Sequence, residues 1–425
     1  METSRAAAEA RDAADPLAGF RARFAGTDDS AADGAPNRLL YLDGNSLGRM
    51  PRETPAALTR VVEQEWAGGL VGSWSAWIGH ATRLGDALAS GVLGARSGEV
   101  LVADSTSVNL YKLLVAAADA RPGRDVIVAC ADDFPTDRYI VAGVAAARGM
   151  TVRELPADLD EGLDPAVLAA ALDERVAVVV LSSVAYRSGA LHDVAAVTRL
   201  VHDAGALVLW DLSHAAGAVE IDLAGAEADL AVGCTYKYLN GGPGAPAFLY
   251  VRRDLQDQLR QPIWGWFGQR DQFEMGPAYD PVPGIERFAV GTPPVLAMAA
   301  VEVGIGLIAE AGMGALAAKG RALGELIVAL ADEWLAPHGV ALASPRDAGR
   351  RGAHVTVAHP AAWQLTQALI DRGVVPDFRT PDRVRLGPAP LYTRFVDVWD
   401  AMDRFRGVLE SGEFANYPAE HARVT

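Results

Sequence analysis

The feature that most restricts the fold of this chain is a series of short apolar runs that alternate with longer helical stretches. The apolar runs cover residues 100–103, 126–129, 176–181, 207–210 and 230–232. Strands that are covered on both faces are continuously apolar in this way. Helical patterns lie between them, over residues 110–120, 137–148, 164–172 and 194–204. The alternation predicts an α/β fold with a mostly parallel sheet and helices on both faces.

The length of the chain and the changes in its character predict three parts. The chain has 425 residues, of which 50% are hydrophobic, which is enough for two or three domains. We expect residues 1–93 to form an irregular, Trp-rich arm that packs on the rest. Residues 94–294 would form the large α/β domain. A long helix over 296–310 would then open a smaller C-terminal α/β domain, residues 295–425.

Composition and charge exclude several classes of function. The formal net charge of −16 argues against nucleic acids and membrane surfaces as partners, because both are polyanions. Cys130 and Cys234 have no metal-ligand spacing and cannot form a disulfide framework, which favours a reduced, cytoplasmic compartment and no metal site. No apolar run approaches the roughly 20 residues of a membrane span. We therefore expect a soluble protein that acts on a small molecule.

Polar residues follow the predicted strands where each strand ends. In parallel sheets, ligands bind beyond the carboxyl ends of the strands. The polar residues at these ends are Ser105 and Thr106, residues 132–137, Ser182 and Ser183, Asp211 and His214, and Tyr236 and Lys237. Their positions predict one crevice that is lined from five strand ends.

Asp211 and Lys237 suggest the chemistry of that crevice. Lys237 lies between two tyrosines in a Gly-rich loop that follows an apolar strand, where its amine can form a Schiff base. Asp211 follows the preceding strand, and its carboxylate can pair with a pyridine nitrogen. This combination suits pyridoxal phosphate. Taken alone, however, Asp211 also suits a helix N-cap, and an isolated lysine is usually a solvated charge.

A phosphate site is predicted over residues 104–107. Asp104, Ser105, Thr106 and Ser107 stand between a strand and a helix, where hydroxyls and free backbone N–H groups bind anions. Simple N-capping of the helix by Ser105 explains the same residues. The presence of Asp211 and Lys237 favours the phosphate site.

Nine segments, in order along the chain, resemble those of kynureninases, which are fold-type I pyridoxal-phosphate enzymes. The resemblance extends from about residue 40 to about residue 400. A tyrosine precedes the lysine, where the related cysteine desulfurases usually carry a histidine. The segments are 41–48 (YLDGNSLG), 104–112, 134–137 (FPTD), 211–214, 233–244 (GCTYKYLNGGPG), 265–268, 291–294, 375–379 and 390–392.

The resemblance implies catalytic roles for three residues. Lys237 would hold the cofactor and move the α-proton of the substrate. Asp211 would pair with the pyridine nitrogen, with Asp137 close by. Tyr236 would bind the phosphate and also transfer a proton to the β-carbon.

It also implies a set of binding residues. The substrate would be bound by Arg379 at its α-carboxylate, with Ser46 and Trp74 nearby. Trp266 and Thr292 would reach the active site of a second subunit, which implies a homodimer with shared sites. The cofactor-binding residues would be Ser105, Thr106, Phe134, Asp137, Asp211, His214, Tyr236, Lys237, Trp266 and Thr292.

The sequence departs from the family pattern near the presumed aryl end of the substrate. Gln269 stands where the family often has histidine, and Ala185 where it often has asparagine. The Trp-rich arm also looks shortened. These departures bear on ring specificity and not on the cofactor chemistry.

The expected function is hydrolysis of kynurenine, or of a ring-substituted kynurenine such as 3-hydroxykynurenine, to the anthranilate and L-alanine. One alternative is another fold-type I enzyme, an aminotransferase or a cysteine desulfurase. The other is a non-catalytic protein that binds pyridoxal phosphate. Product analysis distinguishes the expected function from the first alternative, because only a kynurenine hydrolase would release alanine and anthranilate without an amino acceptor. Turnover distinguishes it from the second, because a binding protein would form no product.

Overall fold

A seven-stranded sheet lies at the centre of the computed structural model, which describes residues 2–27 and 38–420. Its strand order is β2-β8-β7-β6-β5-β3-β4, and only β8 runs antiparallel to its neighbours. The predicted α/β fold with a mostly parallel sheet is confirmed. The strands are β1 (Leu40–Tyr41), β2 (Val100–Val102), β3 (Val126–Cys130), β4 (Thr151–Leu155), β5 (Val176–Ser182), β6 (Leu207–Asp211), β7 (Leu230–Gly233), β8 (Phe248–Val251), β9 (Ala341–Leu342), β10 (Val355–Ala358), β11 (Val374–Val375), β12 (Asp377–Arg379) and β13 (Arg383–Leu386).

Helices cover both faces of this sheet, and short 3₁₀ and π segments lie between them. The four helical patterns of the central region and the long helix after residue 294 are all found. The α-helices are α1 (Arg5–Ala13), α2 (Thr54–Arg60), α3 (Trp74–Trp77), α4 (His80–Leu88), α5 (Thr106–Asp119), α6 (Pro135–Arg148), α7 (Pro165–Ala171), α8 (Val194–Asp203), α9 (Arg253–Gln256), α10 (Val295–Ala311), α11 (Met313–Leu330), α12 (Ala362–Asp371) and α13 (Phe395–Ser411).

Local sequence signals fix where the helices that face the crevice begin. The hydroxyl of Ser105 caps α5 by accepting a hydrogen bond from the backbone N–H of Val108 at 3.4 Å. Pro135 occupies the first turn of α6, where its missing N–H costs nothing. Both helices therefore start directly after a strand, with their N-termini at the carboxyl edge of the sheet.

The apolar runs that predict strands leave out two strands of the central sheet. Strand β4 carries Arg153 and Glu154 and lies at the edge of the sheet, where Thr151 and Glu154 are exposed. Strand β8 is apolar and fully buried, but at four residues it is too short to separate from the surrounding loop by pattern alone.

A second, smaller sheet lies in the C-terminal part of the chain. Its strand order is β12-β13-β10-β9, all antiparallel, and helices α11, α12 and α13 share its hydrophobic core. Leu40 and Leu42 from the N-terminal segment belong to the same core, and β1 pairs in parallel with β11. The N-terminal segment is thus fastened to the C-terminal part.

The expectation that residues 1–93 are irregular is wrong for much of that segment. Helices α1, α2, α3 and α4 form within it. Helix α4 buries Leu84 and Leu88 in the core of the large sheet, and Gly85 lets it approach β2 closely. Tertiary packing therefore creates helices where the composition suggested an irregular arm.

Among the described residues, no single helix has both the length and the apolarity to cross a membrane. One bent pair, Val295–Ala311 with Met313–His338 at 84°, passes that test on length and composition together.

Gly85 offers a direct test of this packing. A Cβ atom at Gly85 would lie 2.0 Å from the carbonyl oxygen of Val100, whereas one at Gly143 in α6 would have nothing within 4 Å. We expect Gly85→Ala to lower the free energy of unfolding by about 1–3 kcal/mol, as overpacking does. Gly143→Ala should raise it by about 0.5–1 kcal/mol, because alanine favours the helix. Urea unfolding measures both, and equal effects of the two substitutions would contradict the close approach.

Candidate active site

The parallel strands bring the predicted residues to one edge of the sheet. Ser182 at the end of β5 stands in register with Asp211 at the end of β6, which in turn pairs with Val232 of β7. The chain then enters the lysine loop, residues 234–247. The strand ends therefore place Asp211 and the start of the lysine loop on neighbouring strands.

Backbone contacts hold the lysine loop in place. The N–H of Gly48 donates to the carbonyl oxygen of Tyr236 at 2.8 Å, and a Cβ atom at Gly48 would lie 2.3 Å from the carbonyl oxygen of Lys237. On the other side, the hydroxyl of Thr235 donates to the carbonyl oxygen of Pro246 at 2.7 Å. Asn240 adopts a left-handed conformation with φ of 55° to close the turn. The glycine at position 48 is thus required by the close approach of the N-terminal segment.

The amine of Lys237 is next to His214. Lys237 Nζ lies 3.2 Å from His214 Nε2 and 5.9 Å from the centre of the Phe134 ring. Burial, and then the charge of Lys237, hold the pKa of His214 well below its usual value, so the imidazole is neutral at neutral pH. A neutral ring nitrogen can accept a hydrogen bond from the lysine amine. The structure therefore brings Lys237, His214 and Phe134 together.

Three buried carboxyl groups lie behind the lysine. Asp211 Oδ1 accepts from the backbone N–H of Ser213 at 2.8 Å. Asp137, in the first turn of α6, is 3% exposed, and its Oδ2 has no hydrogen-bond partner among the described residues. Burial and the neighbouring Asp211 raise the pKa of Asp137 well above its usual value. An unsatisfied buried oxygen is costly, so this site suits a ligand that brings a donor.

The third carboxyl group, Asp133, lies within the predicted strand-end range 132–137 but had no separate predicted role. It accepts hydrogen bonds from the backbone N–H of Ser182 at 3.1 Å and of Cys130 at 3.3 Å, and so links β3 to β5. Burial and, to a smaller extent, the neighbouring Asp211 raise its pKa to about 7 in spite of the Ser182 hydrogen bonds. Its place in the segment that contains Phe134 and Asp137 was the only sequence signal.

A cavity of about 540 Å³ lies at the N-terminus of α5. Asp104, Ser105, Thr106, Ser107, Tyr236 and Thr292 are among the residues that line it. Hydroxyls and backbone N–H groups at a helix N-terminus form an anion site. The structure therefore brings the predicted phosphate-binding residues together, although Ser105 also caps the helix.

Lys112 compensates for the acidic residue in this cavity. Its Nζ donates to Asp104 at 2.6 Å and to the carbonyl oxygen of Phe288 at 2.8 Å, and its side chain is fully buried. An unpaired carboxylate beside a phosphate would oppose binding, whereas the ion pair neutralises it. Lys112 lies in the segment 104–112 but gave no separate signal in the sequence.

Arg379 and Ser46 meet in a network of charges beside the crevice. Arg379 Nη1 donates to Asp377 Oδ1 at 2.6 Å, and Arg385 pairs with the other oxygen of Asp377. The hydroxyl of Ser46 donates to Asp377 at 3.2 Å and accepts from Arg385 at 3.1 Å. Ser46 is therefore engaged with protein side chains here, and Asp377 and Arg385 are site residues that the sequence analysis missed.

The predicted residues Trp74 and Trp266 lie together, in an aromatic cluster with Phe267 and Phe273. The ring centres of Trp74 and Trp266 are 6.4 Å apart, and Trp266 is 38% exposed. Neither tryptophan is among the residues that line the phosphate cavity. Thr292 lines the phosphate cavity of its own chain. Its expected contact with the active site of a second subunit stays a prediction.

The two departures from the family pattern have local structural roles. The side-chain oxygen of Gln269 accepts from the backbone N–H of Asp280 at 2.7 Å. The backbone N–H of Ala185 donates to the carbonyl oxygen of Ala190 at 2.8 Å.

His354 is a further buried residue that the sequence did not single out. It is 0% exposed, and its ring centre lies 5.7 Å from that of His214.

The residues of the crevice fit pyridoxal phosphate. The cavity at α5 offers hydroxyls and N–H groups to a phosphate, and Phe134 is 39% exposed, which leaves ring surface for stacking. The unpartnered oxygen of Asp137 and the carboxylate of Asp211 suit a protonated pyridine nitrogen. Lys237 supplies the amine.

Comparison with solved structures supports this fold class. The chain resembles an apo cysteine desulfurase from Thermococcus onnurineus NA1 with a TM-score of 0.74 and 19% identity, covering 88% of this chain and 94% of that one. It also resembles a C-DES variant with glycine covalently linked to its pyridoxal-phosphate cofactor, with a TM-score of 0.78 and 18% identity over 91% and 98% of the chains. At these identities the likeness establishes the fold alone. Fold and site together define a fold-type I enzyme dependent on pyridoxal phosphate.

Comparison with curated sequences identifies the family. The chain is 45% identical over 416 residues to a kynureninase from Burkholderia pseudomallei (strain 1106a), covering 96% of both chains. It is 44% identical over 414 residues to a kynureninase from Pseudomonas fluorescens, covering 96% and 95%. Residues 316–405 match the model of the kynureninase C-terminal domain. The chain belongs to the kynureninase family, as the nine segments predicted.

The raised pKa of Asp133 predicts a pH-dependent contribution to stability. Its pKa is about 7 in the folded chain against a usual value of 3.8, so the folded state holds the proton more tightly. Between these values the folded chain binds more protons than the unfolded chain, and this residue's contribution to the free energy of unfolding falls as the pH rises. We expect Asp133→Asn to remove that decline between about pH 4 and pH 7, as measured by urea unfolding at a series of pH values.

Thr366→Val provides the control, because it removes a buried side-chain hydrogen bond but no titratable group, and it should leave the pH dependence as it is in the unsubstituted protein. Asp133→Asn also loses a backbone hydrogen bond, which lowers the whole curve but does not change its slope with pH. Parallel curves for Asp133→Asn and the unsubstituted protein would show that Asp133 does not hold this proton.

Proposed function

We propose that this protein hydrolyses kynurenine, or a ring-substituted kynurenine, to the anthranilate and L-alanine. Water is the second substrate: its hydroxyl goes to the aryl carbonyl carbon, and a proton goes to the β-carbon as the Cβ–Cγ bond breaks. The single observation that supports this most strongly is the 45% identity to a curated kynureninase over 96% of both chains. Bound pyridoxal phosphate supplies an electron-accepting ring that stabilises negative charge on the substrate carbons.

Lys237 holds the cofactor and then moves the α-proton of the substrate. Its amine lies against His214 and near the open face of Phe134. Because His214 is neutral, it accepts a hydrogen bond from the amine without adding a positive charge beside it. Such an amine could take a proton from Cα of the bound substrate.

Asp211 and Asp137 hold a proton at the pyridine nitrogen. Their carboxyl groups are buried together, and the raised pKa of Asp137 reflects the cost of two negative charges in one pocket. A positive charge on a bound pyridine ring would relieve that cost. Asp211 would pair with the ring nitrogen through a charge-assisted hydrogen bond.

Tyr236 donates the proton to the β-carbon and also binds the phosphate. Its ring is next to Lys237, with the amine 6.0 Å from the ring centre, and the residue lines the phosphate cavity. Burial raises the pKa of the phenol, so the hydroxyl keeps its proton at neutral pH and can act as a donor.

Arg379 binds the α-carboxylate of the substrate, and Ser46 belongs to the same charged network. The substrate-binding role of Trp74 stays a prediction, since Trp74 lies with Trp266 in the aromatic cluster. A planar guanidinium suits a carboxylate because it can donate two parallel hydrogen bonds. Burial lowers the pKa of Arg379, but an arginine remains charged at neutral pH.

A homodimer with shared sites is supported by an exposed apolar surface. The segments 66–78 and 264–275 meet through Trp74 and Trp266, and their exposed residues form one apolar surface. Exposed apolar surfaces of this kind mark protein interfaces. The members that are at least a third exposed are Trp66, Leu70, Val71, Ile78, Trp264, Trp266, Phe273 and Met275. In the dimer, Trp266 would reach the site of the second subunit.

Two further parts of the proposal concern organisation and location. The division into residues 1–93, 94–294 and 295–425 stays a prediction. The small sheet has a hydrophobic core of its own, but the core of the large sheet also takes in Leu88 from the first part and Met298 from the last. A reducing, cytoplasmic compartment is supported by Cys130 and Cys234, which are both free and buried.

Product analysis tests the proposed reaction. Purified holoenzyme with L-kynurenine and no amino acceptor should release anthranilate and alanine in equal amounts, and borohydride should trap the cofactor on Lys237. Lys237→Ala should abolish both results. The control variant Lys319→Ala removes a different lysine, and it should keep the trapped label. Formation of an oxo acid or of sulfide in place of these products would favour the aminotransferase or desulfurase alternative. Label on another lysine would refute the assigned role of Lys237.

Subunit exchange tests the shared site. Two inactive variants, Lys237→Ala and a disabling substitution at Trp266, are mixed and allowed to exchange subunits. If Trp266 acts across the interface, one site of each mixed dimer carries both lesions and the other carries neither. We then expect at most about half of the activity of a wild-type dimer for each mixed dimer, by the two-fold symmetry.

If Trp266 instead serves its own chain, every site of a mixed dimer keeps one lesion. No activity returns in that case, although exchange itself can be verified with a mass tag on one variant. Verified exchange without recovery would exclude the shared-site arrangement.

A further inference from the structure

The charged network around Arg379 is more elaborate than carboxylate binding requires. Asp377 is 1% exposed, and its two oxygens are divided between two arginines: Oδ1 accepts from Arg379, and Oδ2 accepts from Arg385. Arg385 is also 1% exposed. A buried ion pair is weak evidence for stability, because desolvation offsets much of its attraction. The Asp377–Arg385 pair lies beside Arg379, the arginine that is proposed to bind the substrate, so we look for a functional role of the pair.

Arg385 joins all three parts of the chain at this point. One of its nitrogens donates to the carbonyl oxygen of Tyr186, in the loop that follows β5 of the large sheet. Two residues of the N-terminal segment accept hydrogen bonds from Arg385. The hydroxyl of Ser46 accepts at 3.1 Å, and the side-chain oxygen of Asn45, in the amide orientation that satisfies its hydrogen bonds, accepts from Arg385 Nε at 3.1 Å. These contacts fix the guanidinium of Arg385, and through it they fix the carboxylate of Asp377.

Arg379 is held on one side only. Its Nη1 donates to Asp377 at 2.6 Å and to the carbonyl oxygen of Phe378 at 2.8 Å. Within residues 2–27 and 38–420, its Nε and Nη2 have no hydrogen-bond partner, and the side chain is 30% exposed. One edge of the fork is thus anchored, and the opposite edge has the two donors that a carboxylate can accept.

We propose that Asp377, fixed by Arg385, is a positioning residue that orients Arg379 and leaves its free edge for the α-carboxylate of the substrate. This inference rests on the proposed role of Arg379 in the proposed function. Asp377 itself does not touch the substrate. Without its Oδ1, the long side chain of Arg379 would sample several rotamers, and ordering it would cost free energy on each binding event.

Binding of L-alanine and of L-alaninamide to the holoenzyme measures this orientation without turnover. Both ligands bring an amino group to the cofactor, but only alanine has the α-carboxylate, and the cofactor absorbance reports both dissociation constants. In the wild type, we expect alanine to bind at least about tenfold more tightly than the amide, since a bidentate charge-assisted pair is lost in the amide. Asp377→Asn should reduce this preference at least about tenfold.

A double variant separates positioning from simple charge balance. Asp377→Asn leaves the charge of Arg385 buried without its carboxylate, which lowers stability whatever else Asp377 does. The double variant Asp377→Asn, Arg385→Gln removes both charges. We expect it to recover thermal stability but not the preference for alanine. Recovery of both would show that Asp377 only neutralises Arg385, and would overturn the inference.

Two further variants keep the test decisive. Asp377→Glu keeps the charge opposite Arg385 but moves the carboxylate by one methylene, so it should fold and still lose part of the preference. An unchanged preference in this variant would also overturn the inference. The control Asp332→Asn, which breaks an exposed ion pair with Arg346 at 2.6 Å, should leave the preference unchanged.

Arg379→Lys distinguishes failure of the inference from failure of the proposed function. If this variant keeps the full preference for alanine, Arg379 does not recognise the carboxylate, and its proposed role fails together with the inference. If it loses the preference while Asp377→Asn and Asp377→Glu keep it, only the inference fails. Product analysis of the wild type tests the proposed reaction separately.

Discussion

The close approach of Gly48 to the lysine loop is the contact on which the rest of the site depends. The N–H of Gly48 donates to the carbonyl oxygen of Tyr236, and there is no room for a Cβ atom beside Lys237. This contact places the N-terminal segment directly against the loop. The same segment then reaches the second sheet through Asn45 and Ser46. One backbone contact thus couples the lysine to the arginine network.

The distribution of charge in the crevice follows from burial. Asp133, Asp137 and Asp211 are all buried behind Lys237, and the two with raised pKa values hold protons more tightly than exposed carboxyl groups do. On the far side, Arg379 and Arg385 share Asp377. In the proposed function, a substrate with an amino group and a carboxylate would meet the lysine at one end and the half-occupied guanidinium at the other. This polarity suits an α-amino acid.

Local patterns were enough to predict much of the fold and of the cofactor site. Continuous apolar runs predicted five strands of the central sheet, because strands covered on both faces contain almost nothing else. The strand-end rule then grouped Ser105, Asp211 and Lys237 before any contact was known. Strand β4 escaped prediction because an edge strand carries polar residues, and the helices of the N-terminal segment escaped because packing, not propensity, stabilises them.

By itself, the sequence determined the fold class and membership of the kynureninase family, and it predicted the cofactor lysine and its aspartate, since each depends on residue types at fixed spacing. Only the tertiary structure revealed Asp133, Lys112, Asp377 and Arg385 as site residues. Lys112 is paired with Asp104 under the phosphate cavity, and Arg385 contacts residues more than 300 positions away. A buried charge looks like any surface charge in a sequence, because its partner is chosen by the fold and not by its neighbours along the chain.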